Sequence, residues 1–256
     1  MSGADARDKT VDPDELVRYR ALADMWWQRD GKLWPLHVLN ELRSGYIRDQ
    51  LAALYGRNPA GAEPLRGLRI LDIGCGGGLL SEAMSRLGAA VHGVDVSDSN
   101  IQVARLHASE HGLEIDYETA TAEALAERGA SYDVVLNMEV VEHVADLPAF
   151  MASVNRLVTP GGHTFVATIN RNVVSYVVAI LGAESIFRLL PKGTHQWSRF
   201  PTPTEIEALL ERDGIRTIRR TGVKVNPLTR HMWLSPSMSV NYMLLATAEG
   251  DGHERT

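Results

Sequence analysis

The run LDIGCGGGLL, residues 71–80, is the strongest indication of the fold in this sequence. It continues the apolar run RILDI and opens into the helical pattern LLSEAMSRL. Glycines at such a strand-to-helix turn let the backbone turn tightly and approach a ligand closely. The N-terminus of the following helix would stabilise an anionic group. The stretch therefore predicts a ligand-binding loop after the first strand of an α/β fold.

The spacing of the glycines disfavours a nicotinamide dehydrogenase. A dinucleotide site uses G-x-G-x-x-G, and neither Gly74 nor Gly76 is followed by glycine at the sixth position. The pattern present is D-x-G-x-G-x-G, from Asp72 to Gly78. It resembles the first motif of class I S-adenosylmethionine-dependent methyltransferases. That resemblance implies that Gly74 and Gly76 approach the cofactor and that Asp72 helps to anchor its methionyl moiety.

Short apolar runs alternate with helical patterns around this loop. The predicted strands are RILDI, AVHGVD, LEIDYE, YDVVLN and GHTFVATI, and the helices between them are LLSEAMSRL, NIQVARLHASEH and LPAFMASVNRL. Such alternation predicts parallel βαβ units in a doubly wound, Rossmann-like α/β sheet. Two late runs, IRTIRRTGV and VNYMLLATA, have no helical pattern between them. We expect them to form an antiparallel pair near one edge of the mostly parallel sheet.

A single domain over residues 13–250 is the predicted organisation. Residues 13–56 are predicted to form an N-terminal helical cap, with one helix over PDELVRYRALADMWW and a second from Leu36 to Leu54. Residues 171–200 are predicted to form an apolar helical insert or lid. A chain of 256 residues is long enough to bury one sizeable core.

Asp95 ends the second predicted strand, at the same edge of the sheet as the glycine loop. An acidic side chain at this place can bind both hydroxyls of a ribose. Cys75 lies inside the loop and has no basic neighbour in the sequence, so it is expected to be a packing residue and not a nucleophile.

The stretch NMEVVEHV, residues 137–144, follows the fourth predicted strand. On a helix, Glu139, Glu142 and His143 would share one face. Their oxygen and nitrogen atoms would suit Mg²⁺ or a similar cation. The alternative is that Glu142 and His143 brace a helix start while Glu139 contacts solvent or the cofactor region. Met138, just past the strand end, can pack against a cofactor.

The amino-acid composition limits which binding partners and which cellular compartment are expected. The net charge is −6, which makes nucleic acid an unexpected partner. The single cysteine excludes an internal disulfide and favours a reducing compartment. The first residues lack the basic and then apolar pattern of a signal peptide. We expect a cytoplasmic protein.

The run WWQRDGKLWPLHVLNELRSGYI, residues 26–47, resembles one family closely, the ubiquinone biosynthesis O-methyltransferases. The resemblance continues through LDIGCGGG, NMEVVEHV, PGGHTFVATINRN, PKGTHQWSRFPTPTE and VNYML, and it spans about residues 15–247. A local departure is Gln28 and Arg29, where the family usually has aspartate and proline.

The resemblance implies an S-adenosylmethionine-dependent enzyme that methylates hydroxyls of a polyprenyl catechol and of demethylubiquinol. The implied cofactor contacts are Arg43, Gly74, Asp95 and Met138. The family's E-x-x-E-H metal motif falls on Glu139, Glu142 and His143. Two mechanisms compete for the catalytic residues Glu142 and His143, because a metal-bound His143 cannot also be the general base.

Other readings of the sequence remain open. The chain could methylate another small phenol or amine, or it could be a catalytically silent, cofactor-binding scaffold subunit that works with other ubiquinone-biosynthesis proteins. The apolar run Val173–Ala183 is flanked by basic residues and is too short to span a bilayer. It is predicted to lie peripherally on an anionic membrane at the inner face of the cytoplasmic membrane; the alternative is a core helix. Lys192, His195 and Trp197 line the substrate entrance or an ordinary loop.

Overall fold

A computed structural model describes residues 13–31, 33–171, 200–226 and 229–250. The strands are β1 (Arg69–Ile73), β2 (Ala90–Asp95), β3 (Asp116–Thr119), β4 (Tyr132–Met138), β5 (Val158–Ile169), β6 (Ile215–Asn226), β7 (His231–Ser235) and β8 (Asn241–Ala248). The helices are α1 (Pro13–Trp27), α2 (Trp34–Leu54), α3 (Leu79–Arg86), α4 (Asp98–Glu110), α5 (Ala122–Glu127), α6 (Leu147–Arg156) and α7 (Pro203–Glu211).

The strands form one sheet in the order β3-β2-β1-β4-β5-β8-β6-β7. Strands β1 to β5 pair in parallel, with helices in the connections between them. The predicted doubly wound, mostly parallel sheet is therefore confirmed. Strand β1 lies between β2 and β4, so the strand order reverses there and leaves a crevice at the carboxyl ends of these strands.

Apolar side chains fill both faces of the sheet, as buried parallel strands require. Successive residues of a strand point to opposite faces. Ile70 and Val134 accordingly lie in one buried cluster with Ile47 of α2, whereas Leu71 and Val135 lie in a second cluster. Helix α2 thus contributes Ile47 to the apolar core on one face of the central strands.

The late strands confirm the predicted antiparallel pair and add a hairpin. Strand β8 runs antiparallel to both β5 and β6. Strand β6 pairs with β8 up to Thr221 and with β7 from Gly222 onward. Strand β7 and helix α5, which have five and six residues, were not predicted from the sequence.

The N-terminal helices are as predicted, except that α2 begins at Trp34 and not at Leu36. Of the predicted insert, residues 171 and 200 are described, and the rest, including Lys192, His195 and Trp197, lies outside the described residues. Within the described part of the chain, no helix is long and apolar enough to cross a membrane.

The burial of α2 predicts a contrast between two of its leucines. Leu51 is fully buried, and Leu54 is 41% exposed. Leu51→Ala should lower the free energy of unfolding by about 2–5 kcal/mol because it leaves a cavity. Leu54→Ala should change it by about 0.5 kcal/mol or less. Urea denaturation of both variants measures the difference, and equal losses would contradict the packing of α2 on the sheet.

Candidate active site

The glycine loop after β1 is held in a conformation that only glycine adopts easily. Gly74, Gly76 and Gly78 have φ values of +67°, +54° and +89°. A Cβ atom at Gly74 would lie 2.5 Å from Val140 Cγ2, and one at Gly78 would lie 2.5 Å from the Tyr117 hydroxyl. The loop therefore needs glycine both for its backbone angles and for its close packing.

Asp95 ties this loop to the end of β2. Its Oδ2 accepts a hydrogen bond from the Gly76 amide at 3.0 Å, and its Oδ1 accepts one from the Ser97 amide at 2.8 Å. The side-chain amide of Asn100 lies 3.3 Å from the same Oδ1. The carboxylate is half-buried and fixed in orientation, and its oxygens have further lone pairs for ligand hydroxyls.

Val96 follows Asp95 and is 75% exposed, the highest fraction among the large exposed apolar residues in the described part of the chain. Its side chain offers an apolar surface at the mouth of the crevice. No role for Val96 followed from the sequence, and the only available signal was its place directly after the acidic residue.

Asp72 is buried and accepts a hydrogen bond from the Ser81 hydroxyl at 2.6 Å. Burial raises the pKa of Asp72 to about 7, against the lowering effect of the Ser81 hydrogen bonds. The negative charge of Asp95 adds to the rise. Asp72 thus connects β1 to α3, and its predicted contact with a methionyl group stays a prediction.

Two other residues around the loop are buried. Met138 ends β4 and belongs to the core cluster on the α2 side. Cys75 is buried inside the loop, and burial raises the pKa of its thiol above the usual range. A thiol that is hard to ionise is a poor nucleophile, which agrees with a packing role.

Residues 139–143 form a turn after β4, so the expectation of a shared helix face for Glu139, Glu142 and His143 is wrong. Glu139 has φ of +57°, a left-handed conformation that cannot continue into an α-helix. Its amide donates to the Ala167 carbonyl at 2.8 Å, which fixes the turn against β5. The periodicity of the sequence carried no sign of this backbone angle.

Arg43 of α2 forms an ion pair with Glu139 in this turn. The side chains of Arg43 and Glu139 are 9% and 28% exposed. One turn earlier on α2, the Asn40 side-chain amide donates to the Leu79 carbonyl at 3.0 Å, at the start of α3. Helix α2 therefore aims Asn40 and Arg43 at the crevice.

Glu142 is the other acidic residue of the turn and is 6% exposed. Burial raises its pKa to about 8, and the neighbouring Glu139 charge adds to the rise. The Thr168 hydroxyl opposes that shift, although neither this hydroxyl nor Glu142 Oε2 has a hydrogen-bond partner of standard geometry. Glu142 thus presents an unsatisfied oxygen beside a second carboxylate.

The three predicted metal ligands do not all converge. Across the described ranges, no group of three histidine, cysteine, aspartate or glutamate side chains is arranged to hold one ion. The structure brings Glu139 and Glu142 together but does not bring His143 into a common cluster with them. The donor chemistry of the two carboxylates suits Mg²⁺, which prefers oxygen ligands.

Two tryptophans at the end of α1 cover the glycine loop, and the sequence analysis assigned them no role. A Cβ atom at Gly77 would lie 2.7 Å from Trp26 Cγ. The Trp27 indole donates to the Gly77 carbonyl at 3.2 Å, and its ring stacks on His107 of α4 with centroids 3.4 Å apart. The loop is thus packed between α1 and the sheet.

Comparisons with known proteins agree with this geometry. A family described as "Methyltransferase domain" matches residues 39–219. A ubiquinone biosynthesis O-methyltransferase from Chelativorans sp. (strain BNC1) is 54% identical, over 94% of this chain and 96% of its own length. One from Mesorhizobium japonicum is 53% identical over the same shares. The magnesium protoporphyrin IX methyltransferase of Synechocystis PCC 6803, solved with bound SAH, aligns with a TM-score of 0.57. That alignment has 22% identity and covers 81% of this chain and 85% of the other.

The fold and the glycine-loop crevice define a methyltransferase with the architecture of the S-adenosylmethionine-dependent class. The chain belongs to the family of ubiquinone biosynthesis O-methyltransferases. The expectations of fold, family and enzyme class are confirmed.

The raised pKa of Glu142 predicts a pH-dependent stability. A carboxyl that titrates at about 8 when folded and near 4.5 when unfolded keeps its proton in the folded state across that window. Stability therefore falls as the pH rises from about 4.5 to 8. Glu142→Gln should make this fall shallower, by up to about 1.4 kcal/mol per pH unit.

Urea denaturation of the wild type and the Glu142→Gln variant at several pH values measures the slope. The contribution of Asp72 is present in both proteins and cancels in the comparison. Parallel curves for the two proteins would contradict the protonated state of Glu142.

Proposed function

We propose that the chain transfers a methyl group from S-adenosylmethionine to hydroxyls of polyprenylated catechol and demethylubiquinol intermediates. The glycine loop fixed to Asp95 is the observation that carries the proposal, in a chain 54% identical to a ubiquinone biosynthesis O-methyltransferase. The relatives' name supports a quinone-type substrate. The glycine loop and Asp95 at the carboxyl ends of β1 and β2 support a nucleoside ligand.

In this proposal the cofactor lies along the carboxyl ends of β1, β2 and β4. Asp95 accepts hydrogen bonds from the ribose hydroxyls, and Val96 packs against the adenine. The backbone at Gly74 and Gly76 approaches the cofactor, with Asp72 supporting the loop. Met138 contributes apolar contact. Arg43 binds the cofactor carboxylate, because a guanidinium takes a carboxylate with two parallel hydrogen bonds.

Methyl transfer requires a substrate oxygen that has lost its proton and is in line with the sulfonium methyl group. In the proposed reaction His143 accepts that proton as a general base, which is worth about 10²–10⁴ in rate. Alignment of the two reactants supplies roughly 7–11 kcal/mol more of the barrier reduction. Glu142 lies next to His143 in the chain, and burial raises its pKa to about 8.

A divalent cation, Mg²⁺ by its preference for oxygen ligands, is the competing form of this proposal. The predicted ligands are Glu139, Glu142 and His143; the structure brings the two glutamates together, and His143 would have to move toward them to complete the site. The ion would supply Lewis-acid polarisation of a catechol oxygen. The support for it is the unpartnered Glu142 Oε2 beside the Glu139 carboxylate. A histidine bound to the cation would not be the free base.

An assay of labelled methyl transfer from S-adenosylmethionine to a short-chain prenyl catechol tests the function. It is run on the wild type and on two variants. His143→Ala should lower kcat by about 10²–10⁴ and leave the Kd for S-adenosylhomocysteine near the wild-type value. Asp95→Ala should raise that Kd by about tenfold or more, since charged hydrogen bonds are lost. Asp98→Ala removes a nearby exposed carboxylate and serves as the matched control.

The same assay with EDTA and then with added Mg²⁺ separates the two mechanisms. Activity lost in EDTA and restored by Mg²⁺ supports the cation, whereas activity indifferent to EDTA leaves His143 as the base. No transfer by a protein that still binds S-adenosylhomocysteine would favour another phenol or amine acceptor, or a silent scaffold subunit.

We also propose that residues 171–200 contact an anionic membrane surface, where a polyprenylated substrate would be found. The support is the sequence, in which an apolar run has basic flanks. Flotation with liposomes that contain anionic lipid should carry the protein upward, and neutral liposomes should carry less. Absence of the protein from both floating fractions would reject the membrane contact.

A further inference from the structure

The ion pair between Arg43 and Glu139 joins two parts of the crevice. Arg43 comes from the N-terminal helix α2, and Glu139 is the first residue after β4. The turn that holds Glu139 touches the glycine loop, since a Cβ atom at Gly74 would lie 2.5 Å from Val140. The pair therefore lies beside the place where the proposed cofactor binds.

Arg43 is the more buried partner, with a side chain only 9% exposed. A guanidinium removed from water needs a carboxylate partner, because an unpaired buried charge is strongly unfavourable. Glu139 supplies that partner from an unusual backbone conformation, with φ of +57°. Local preference does not favour this angle, so tertiary contacts hold Glu139 in place to meet Arg43.

The α-carboxylate of the cofactor and the Glu139 carboxylate have the same chemistry. Glu139 Oε1 accepts a hydrogen bond from Nη2 of Arg43, and a two-bond arrangement of the guanidinium with the cofactor carboxylate would involve this same nitrogen. We propose that Glu139 occupies Arg43 in the ligand-free enzyme and is exchanged for the cofactor carboxylate on binding. Glu139 is then a positioning residue that keeps Arg43 aimed at the crevice and lowers the apparent cofactor affinity. This inference rests on the proposed function.

The exchange links the two halves of the active site. Once released from Arg43, the Glu139 carboxylate remains beside the buried Glu142 without its cationic partner. Two neighbouring carboxylates favour the arrival of a positive charge. Cofactor binding at Arg43 would in this way change the charge of the turn after β4.

Calorimetric titration with S-adenosylhomocysteine in EDTA tests the exchange without any metal or catalysis. Glu139→Gln should bind it about three- to tenfold more tightly than the wild type, because Arg43 is no longer occupied by an internal carboxylate. The affinity for 5′-methylthioadenosine, which lacks the carboxylate, should stay unchanged. Glu41→Gln is the matched control, since Glu41 pairs with Arg29 on the exposed side of α2.

A double-variant cycle assigns the effect to Arg43. In an Arg43→Ala background, Glu139→Gln should leave the affinity for S-adenosylhomocysteine unchanged. If Glu139→Gln does not fold, Glu139→Gly removes the same carboxylate and tolerates the positive φ. It should show the same tightening.

The outcomes separate the two proposals. One outcome is that the wild type binds S-adenosylhomocysteine and the Glu139→Gln variant binds it with equal or weaker affinity. This outcome would overturn the exchange and leave the proposed function standing. Tightening that also appears for 5′-methylthioadenosine would overturn it as well, because the carboxylate would not be involved. A wild type that binds neither ligand would overturn both the proposed function and the exchange.

Discussion

The hydrogen bond from the Gly76 amide to Asp95 is the interaction on which the crevice depends. It joins the loop after β1 to the end of β2, so the two strands present their carboxyl ends as one surface. The same carboxylate accepts from the Ser97 amide at the start of α4. Asp95 is therefore oriented before any ligand arrives, and a ligand does not have to order it.

The positions of the glycine loop and of Asp95 were predictable from the sequence, because they depend on residues that are close together in the chain. Residues 71–80 predicted the strand, the loop and the helix correctly, because the spacing of glycines determines the local backbone geometry. Asp95 followed from its position at the end of a strand. The spacing of residues in the sequence could not reveal the left-handed backbone conformation of Glu139. Glu139, Glu142 and His143 were expected to share one face of a helix, and these residues form a turn instead.

Contacts between residues far apart in the chain could not be predicted from the sequence pattern. Arg43 and Glu139 are 96 residues apart, and Trp27 and Gly77 are 50 apart. The tertiary packing of α1 and α2 creates both contacts. The resemblance to a family pointed to Arg43, but neither spacing nor resemblance indicated that its partner is another predicted site residue. The tryptophan pair at the end of α1 could be recognised in the sequence, but its contact with the glycine loop could not be predicted from it.

The charges of the crevice suggest what kind of ligand it favours. Asp72, Asp95, Glu139 and Glu142 bring four carboxyl groups to the loop and the turn, and Arg43 pairs with one of them. Burial keeps a proton on Asp72 or Glu142 over part of the neutral range, which limits the repulsion. With Glu139 paired to Arg43 and a proton on Glu142, the remaining negative charge lies on Asp95 and on the ionised fraction of Asp72, and it favours a cation over a neutral molecule of the same shape.

Under the proposed function this preference distinguishes the cofactor from its product. S-adenosylmethionine carries a sulfonium charge that S-adenosylhomocysteine lacks, so the acidic surroundings favour the methyl donor and promote product release. The same attraction stabilises the ground state of the donor more than a transition state in which that charge is being lost. In this proposal the rate enhancement comes from alignment of the substrate oxygen and from its deprotonation, the step proposed for His143 in the turn after β4.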